Sequence, residues 1–160
     1  MPSQHTVTAL VQNEAGTINR LVSLFRRRGF SLESFNAGDC EDPGFSRITL
    51  VLNANAADLH QCLKQLEKVI DVVEVEDLSD RDSVRRETCL VRVEPTFEQR
   101  QNVYNVVNEF MAKTPRATAQ CIVVEYTADV INISRLIEAL RPFNVTEVVR
   151  SGAVAIKVIE

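Results

Sequence analysis

Along the first half of the chain the spacing of apolar residues changes in a regular order. Thr6 to Val11 is short, apolar and partly β-branched, which predicts a buried strand. The polar turn Gln12-Asn13-Glu14-Ala15-Gly16 follows. Ile18, Leu21, Val22, Leu24 and Phe25 then recur at helical spacing, so one face of a helix from about Thr17 to Arg28 is expected to be apolar. Gly29 stops that helix, because the residue after a helix often needs a positive φ. A second strand starts near Phe30 and ends before Gly38. Cys40-Glu41-Asp42-Pro43-Gly44 is a turn punctuated by its Pro-Gly pair. Beyond it Ile48, Leu50 and Leu52 alternate with Arg47, Thr49 and Val51, the pattern of a strand with one face on a core. A second helix carries Leu59, Cys62, Leu63, Leu66 and Val69 inward, and Val72 to Leu78 is a fourth strand. The order βαββαβ predicts a ferredoxin-like domain, with two helices on one face of a four-stranded antiparallel sheet.

The pattern then breaks and restarts. Ser79 to Glu87 reads SDRDSVRRE, nearly all polar or charged, and is the expected linker (79–87) between a domain of residues 1–78 and another of 88–160. Cys89 to Val93 reads as a strand, and Phe97 to Met111 as a helix with Val103, Val106, Val107 and Phe110 inside. A short hairpin is expected, with arms at Ala117 to Gln120 and Ile122 to Tyr126. Ile133, Leu136, Ile137 and Leu140 mark a helix ended by Pro142. Val145 to Val149 and Val154 to Val158 are short strands around Ser151-Gly152. The fold class is therefore α+β, as two tandem units of similar order.

Composition narrows the function classes. A length of 160 residues is enough for two small cores, and a net charge of −4 provides no overall basic field for nucleic acid. No apolar run approaches membrane-spanning length, and MPSQHT lacks the basic and apolar regions of a signal peptide. The four cysteines, Cys40, Cys62, Cys89 and Cys121, form no CxxC pair and are expected to be reduced. The expected compartment is cytoplasmic, or a matrix or stroma if a transit peptide has been removed.

Candidate chemistry is sparse. His60 and Cys62 lie two apart, which on a helix points them in different directions, and no second pair completes a metal site. His5 and His60 are the two histidines, and neither forms a Ser/His or Cys/His pairing in the sequence. GxxxxGK and GxGxxG phosphate loops are absent from the sequence. Arg26-Arg27-Arg28 falls where basic residues complement the C-terminal end of a helix dipole. No catalytic machinery is expected. The turn at Asn13 to Gly16 offers something else. The first N–H groups of a helix have no partner within it, and Gly16 leaves room for a close approach. A small carboxylate could rest on backbone N–H groups around Gly16, Thr17 and Ile18, with Asn13 facing a ligand ammonium or carboxylate. The alternative is an ordinary strand-to-helix turn, in which Asn13 and Gly16 serve backbone geometry alone.

Several stretches taken together resemble one family, the small regulatory subunits of acetohydroxyacid synthase (acetolactate synthase). NEAG resembles the family's Asn-Glu-x-Gly turn. SLFRRRGFSLESFNAG resembles the helix, Arg-Gly-aromatic turn and second strand that follow it. FSRITLVL, KQLEKVIDVVEVEDL, the Arg86-Glu87 pair and LRPFNVTEVVRSGAVAI match further along, in the same order and spacing. The resemblance implies an N-terminal ACT domain, a ferredoxin-like module that binds amino acids, followed by a C-terminal ACT-like α+β domain.

It also implies a role. Such a chain is non-catalytic, dimerises through its ACT domains, docks on a large catalytic subunit and activates it, and confers feedback inhibition by valine on branched-chain amino-acid synthesis. No cofactor is expected in the chain itself, and thiamine diphosphate, FAD and magnesium would belong to the large subunit. The family's effector sits between two ACT domains. One chain provides the turn matching Asn13 and Gly16, with backbone near Thr17 and Ile18. The other provides the start of the second strand, matching Ser31 and Leu32. Many members have asparagine where this chain has Ser31, whose hydroxyl lacks the amide's reach and two donors. The chain ends KVIE where many members continue with a basic, glycine-containing tail. Two other readings are an activating subunit without valine sensitivity and a stand-alone ACT-type sensor.

Overall fold

The computed structural model describes residues 3–159. The chain divides into two compact units, one of residues 1–84 with 152–160 and the other of residues 85–151. In the first, β1 (Ser3–Gln12), α1 (Thr17–Arg28), β2 (Ser31–Asp39), β3 (Phe45–Ala54), α2 (Ala56–Leu66) and β4 (Val72–Asp77) follow the expected βαββαβ order. The strands form a sheet in the order β2-β3-β1-β4, with antiparallel neighbours. β1 and β3 are therefore central, and β2 and β4 are edges.

Both faces of the sheet can be assigned from the register. Val7 pairs with Leu50 and Ala9 with Ile48. These side chains point toward the helices, where Leu21, Leu24, Phe25, Leu59, Cys62 and Leu66 close a buried core. Each fully buried leucine or isoleucine there contributes roughly 1.5–3 kcal/mol relative to exposure. β2 slips register between Leu32 and Ser34. That irregularity lets Leu32 and Phe35 both pack against the core although they are three apart in sequence. Ser34 and Asn36 consequently share the opposite face with Thr49 and Val51.

α1 has the expected limits, because glycines in left-handed conformation stand at both ends: Gly16 at φ 89° and Gly29 at φ 67°. Its apolar face is narrower than the spacing implied. Leu21, Leu24 and Phe25 are buried, whereas Ile18 and Val22 are 44% and 46% exposed. Those two are one turn apart on a neighbouring stripe.

The second unit repeats the order. It holds β5 (Ser83–Val93), α3 (Arg100–Glu109), β6 (Lys113–Ala117), β7 (Ile122–Ala128), α4 (Val130–Leu140) and β8 (Val145–Arg150). Its sheet runs β6-β7-β5-β8. Val91, Val93, Val103, Ile122, Val124, Ile133, Leu136 and Leu140 form its core. A 3-10 turn over Arg141–Phe143 contains Pro142 and ends α4.

Three expectations need correction. The charged stretch expected as a linker is half strand: β5 begins at Ser83. The buried Glu87 is tolerated because Arg150 donates two hydrogen bonds to its carboxylate, at 2.7 and 2.9 Å. The first hairpin arm lies at Lys113–Ala117, and residues 118–121 are the turn, where the Thr118 hydroxyl accepts from the Gln120 and Cys121 N–H groups. α3 starts at Arg100, after a turn over 97–99. By its contacts the last strand, β9 (Val154–Lys157), groups with the first unit, and it pairs with β5.

Candidate functional site

The turn between β1 and α1 is held from three sides. The Gln12 N–H donates to the Asp71 carbonyl at 2.8 Å, and the Asn13 N–H to the Gly44 carbonyl at 2.8 Å. The Thr17 N–H donates to the Glu14 carbonyl at 3.1 Å and so is already satisfied within the turn. The side chain of Thr17 points inward. Its hydroxyl lies 3.1 Å from the Gln12 carbonyl and 3.2 Å from Asp71 Oδ2, and its one proton serves a single acceptor at a time. Asp71, only 5% exposed, also accepts from Arg20 Nε at 2.6 Å. Asp71 thus ties the end of β1 and the first turn of α1 to the loop before β4. Nothing in the sequence around Asp71 marked it. The signal would have been a lone acidic residue in an otherwise apolar run, VIDVV.

α1 begins without help from any side chain. Gly16 is its N-cap, no side-chain cap bond is present, and its first turn carries no acidic residue. α2 and α4 differ: Asn55 accepts from the Asp58 N–H, and Asp129 from the Asn132 N–H, in each case at 2.9 Å. The positive end of the α1 dipole therefore faces outward past a residue with no side chain. A Cβ at Gly16 would meet only Arg20 Nη1, at 3.7 Å, so the approach is open and bordered by a guanidinium. Among the expected turn residues, Asn13 and Gly16 are exposed and Ile18 is half-exposed, while Thr17 is buried and its N–H is spent within the turn.

Ser31 and Leu32 lie elsewhere. Ser31 is exposed and pairs with Asn53, whereas Leu32 pairs with Leu52 and packs on the core. Ser31 borders a cavity of about 170 Å³ that is also lined by Phe30, Asn53, Asp58 and Cys62. The other end of the sheet is where Gln12 pairs with Phe45 and Asp39 with Ser46. Eight residues of β3 separate Asn53 from Phe45, roughly 26 Å at the usual rise. Within one chain the two expected halves of the site are not brought together.

The remaining candidates are dispersed. His60 is exposed and Cys62 is buried in the core, on different sides of α2. Burial pushes the Cys62 thiol up to about 12 and raises that of Cys89 as well. Among the described residues no group of three or more His, Cys, Asp or Glu side chains could hold a metal. No described helix is long and apolar enough to cross a membrane.

This sheet order, with an uncapped helix opening on a glycine turn, is that of an ACT domain. Residues 7–74 match the family description "AHAS small subunit-like ACT domain", and residues 86–159 match "Small subunit of acetolactate synthase". The chain belongs to the acetolactate synthase small-subunit family. It is 36% identical to the acetolactate synthase small subunit of Mycobacterium leprae, over 95% of this chain and 90% of that one. With the small subunit of Mycobacterium bovis it shares 35% identity, over 97% of this chain and 92% of the other. The crystal structure of the acetolactate synthase small subunit from Thermotoga maritima superposes with a TM-score of 0.91 at 29% identity, covering 99% of both chains. Relatives of this kind are regulatory subunits, and the chain is accordingly a regulatory component, not an enzyme in itself.

Proposed function

We propose that this chain activates the large catalytic subunit of acetolactate synthase and makes it sensitive to a branched-chain amino acid, with valine the first candidate. The observation that carries the effector reading is the start of α1. Its helix dipole, the first-turn N–H groups beyond Thr17, which no side chain caps, and the side-chain-free Gly16 suit a carboxylate, and Asn13 stands beside it for the ammonium. Ile18, half-exposed on the same turn, suits the branched side chain.

Homodimerisation completes this site. β2 is a nine-residue edge strand, and Ile18 and Val22 on α1 are exposed apolar side chains for a partner to cover. A two-fold antiparallel pairing of β2 edges reverses the strand. It would bring Ser31 and Leu32 of one copy to the Asp39 end of the other, which is the end that holds Asn13 and Gly16. Two equivalent sites would result. An effector that favours one arrangement of the pair shifts the enzyme toward the state compatible with it. Thiamine diphosphate, FAD and magnesium belong, in this reading, to the large subunit, and the complex works in the cytoplasm.

The test is calorimetric titration of valine into wild type and two variants, alongside acetolactate formation by the large subunit with each. Gly16→Asp places a like charge where the ligand carboxylate would rest. It should weaken valine by about 2 kcal/mol or more, roughly thirtyfold, while leaving the fold intact by circular dichroism. Ser31→Asn adds an amide on the opposite half and should tighten binding by about 1 kcal/mol. Unchanged valine affinity in a folded Gly16→Asp chain places the ligand elsewhere. Absence of any activation of the large subunit by wild type defeats the wider proposal.

A further inference from the structure

The face of the N-terminal sheet that turns away from the helices is not bare. Thr6, Thr49 and Val51 on that face are all buried. What crosses it is the end of the chain. The Asn36 amide donates to the Ala153 carbonyl at 3.1 Å, and the Ala155 N–H donates to the Thr49 hydroxyl at 3.4 Å. Asn36 and Thr49 are direct cross-strand neighbours on β2 and β3, so the two anchors clamp adjacent points of the sheet. Further on, the Val158 N–H donates to the Asp82 carbonyl at 3.0 Å, and Lys157 pairs with Glu76 at 2.6 Å.

The seat of this segment is close and specific. Gly152 has φ +76°, and a Cβ built there would lie 2.6 Å from Ser34 Cβ and 3.0 Å from Asn36 Nδ2. Only glycine lets the chain descend onto β2 at that point. Beneath it Ser34 Oγ is buried with no hydrogen-bond partner among the described residues. The segment also gains little from apolar burial. Ala153 is buried, but Val154 and Ile156 face outward, 52% and 69% exposed. Besides the pairing of β9 with the fifth strand, a few polar anchors and a steric fit hold it, and the unpartnered Ser34 hydroxyl beneath weakens the seat.

We infer that residues 152–158 form a releasable strap over β2 and β3, and that the seating of this strap sets the position of β2, the edge strand of the sheet. The strap makes β2 answerable to the end of the chain. The Ser151 N–H donates to the Thr88 carbonyl at 2.9 Å, and the Thr88 N–H to Ser151 Oγ at 3.0 Å, both in the second unit. The residue just before the strap is thus anchored, and β2, paired on one edge only, is the strand that the strap crosses from it. Nothing in this inference depends on which effector binds or where.

Hydrogen exchange on the full-length chain, read by mass spectrometry without ligand, tests it. Asn36→Ala removes one anchor and adds no clash. It should raise exchange about fivefold in peptides covering 153–158 and in those covering 34–39, with β1 and the second unit unchanged. Gly152→Ala should release the strap more fully, and Ser34→Gly placed in the same chain should restore part of the protection by removing the atom that the new methyl meets. If Gly152→Ala loses its fold, Asn36→Ala decides. Faster exchange in 153–158 with β2 unchanged would show a passive tail and overturn the inference, as would no change in either segment.

Discussion

Thr17 and Asp71 show how a short-range pattern and a long-range partner divide the work. Thr17 opens α1, yet its hydroxyl is turned inward, between the Gln12 carbonyl and a carboxylate 54 residues away in sequence. Arg20 reaches the same carboxylate from the next turn. The first turn of α1 is thereby held in place by side chains that lie beneath it, and none of them caps it. The cysteines divide just as clearly. Cys62 and Cys89 are fully buried with raised thiol pKa values, whereas Cys40 and Cys121 are half-buried in turns. Since the thiolate is the reactive form, a thiol reagent at pH 8 should modify two cysteines per chain quickly and the other two only on unfolding. Peptide mapping should find Cys40 and Cys121 labelled first. Early labelling of Cys62 would mean that the core under α2 opens far more readily than its packing implies.

At the scale of elements, most boundaries were legible because they rest on local chemistry. Gly16 and Gly29 delimit α1 and Pro142 closes the last helix, while the caps of α2 and α4, Asn55 and Asp129, emerge from the structure. What was not legible depends on partners distant in sequence. The strand through Arg85-Arg86-Glu87 exists because Arg150, 63 residues on, neutralises Glu87. Ile18 and Val22 satisfy a helical period and still face outward, since periodicity marks an apolar stripe without naming what covers it. The candidate site divides in the same way. Its turn half could be read from Asn13 and Gly16, while the separation of Ser31 from that turn follows only from strand register. The caps also carry a pH signature. Backbone and side-chain hydrogen bonds from Asn132 hold the Asp129 carboxyl below its usual value of 3.8. Its contribution is present above the unfolded value and is lost as pH falls through the lowered folded one. The stability gap between wild type and Asp129→Ala, measured by urea unfolding, should therefore be full at pH 7 and shrink as pH falls below about 3.8. A gap of constant size down to pH 2 would show that the charge on the cap is irrelevant.

For the whole molecule, the decisive feature is where the last strand packs. Residues 152–158 follow the second unit in sequence and group by contact with the first. A chain stopped at Ser151 keeps both βαββαβ cores but gives up the anchors at Asn36, Thr49 and Asp82. At about 1 kcal/mol for each net hydrogen bond, it should be less stable by about 2–3 kcal/mol. The loss should appear as a lower urea midpoint in the transition of the N-terminal unit, and coincident midpoints for the two chains would contradict it. The same feature governs the order of assembly. Asn36 meets a residue 117 positions later, and Thr49 one 106 positions later. Synthesis proceeds at roughly 5–20 residues per second and folds domains from the N-terminus. The N-terminal sheet thus leaves the ribosome first and waits, through the making of the whole second unit, for its final piece. The domain that is begun first is completed last, and its sheet face stays uncovered until residues 152–158 follow.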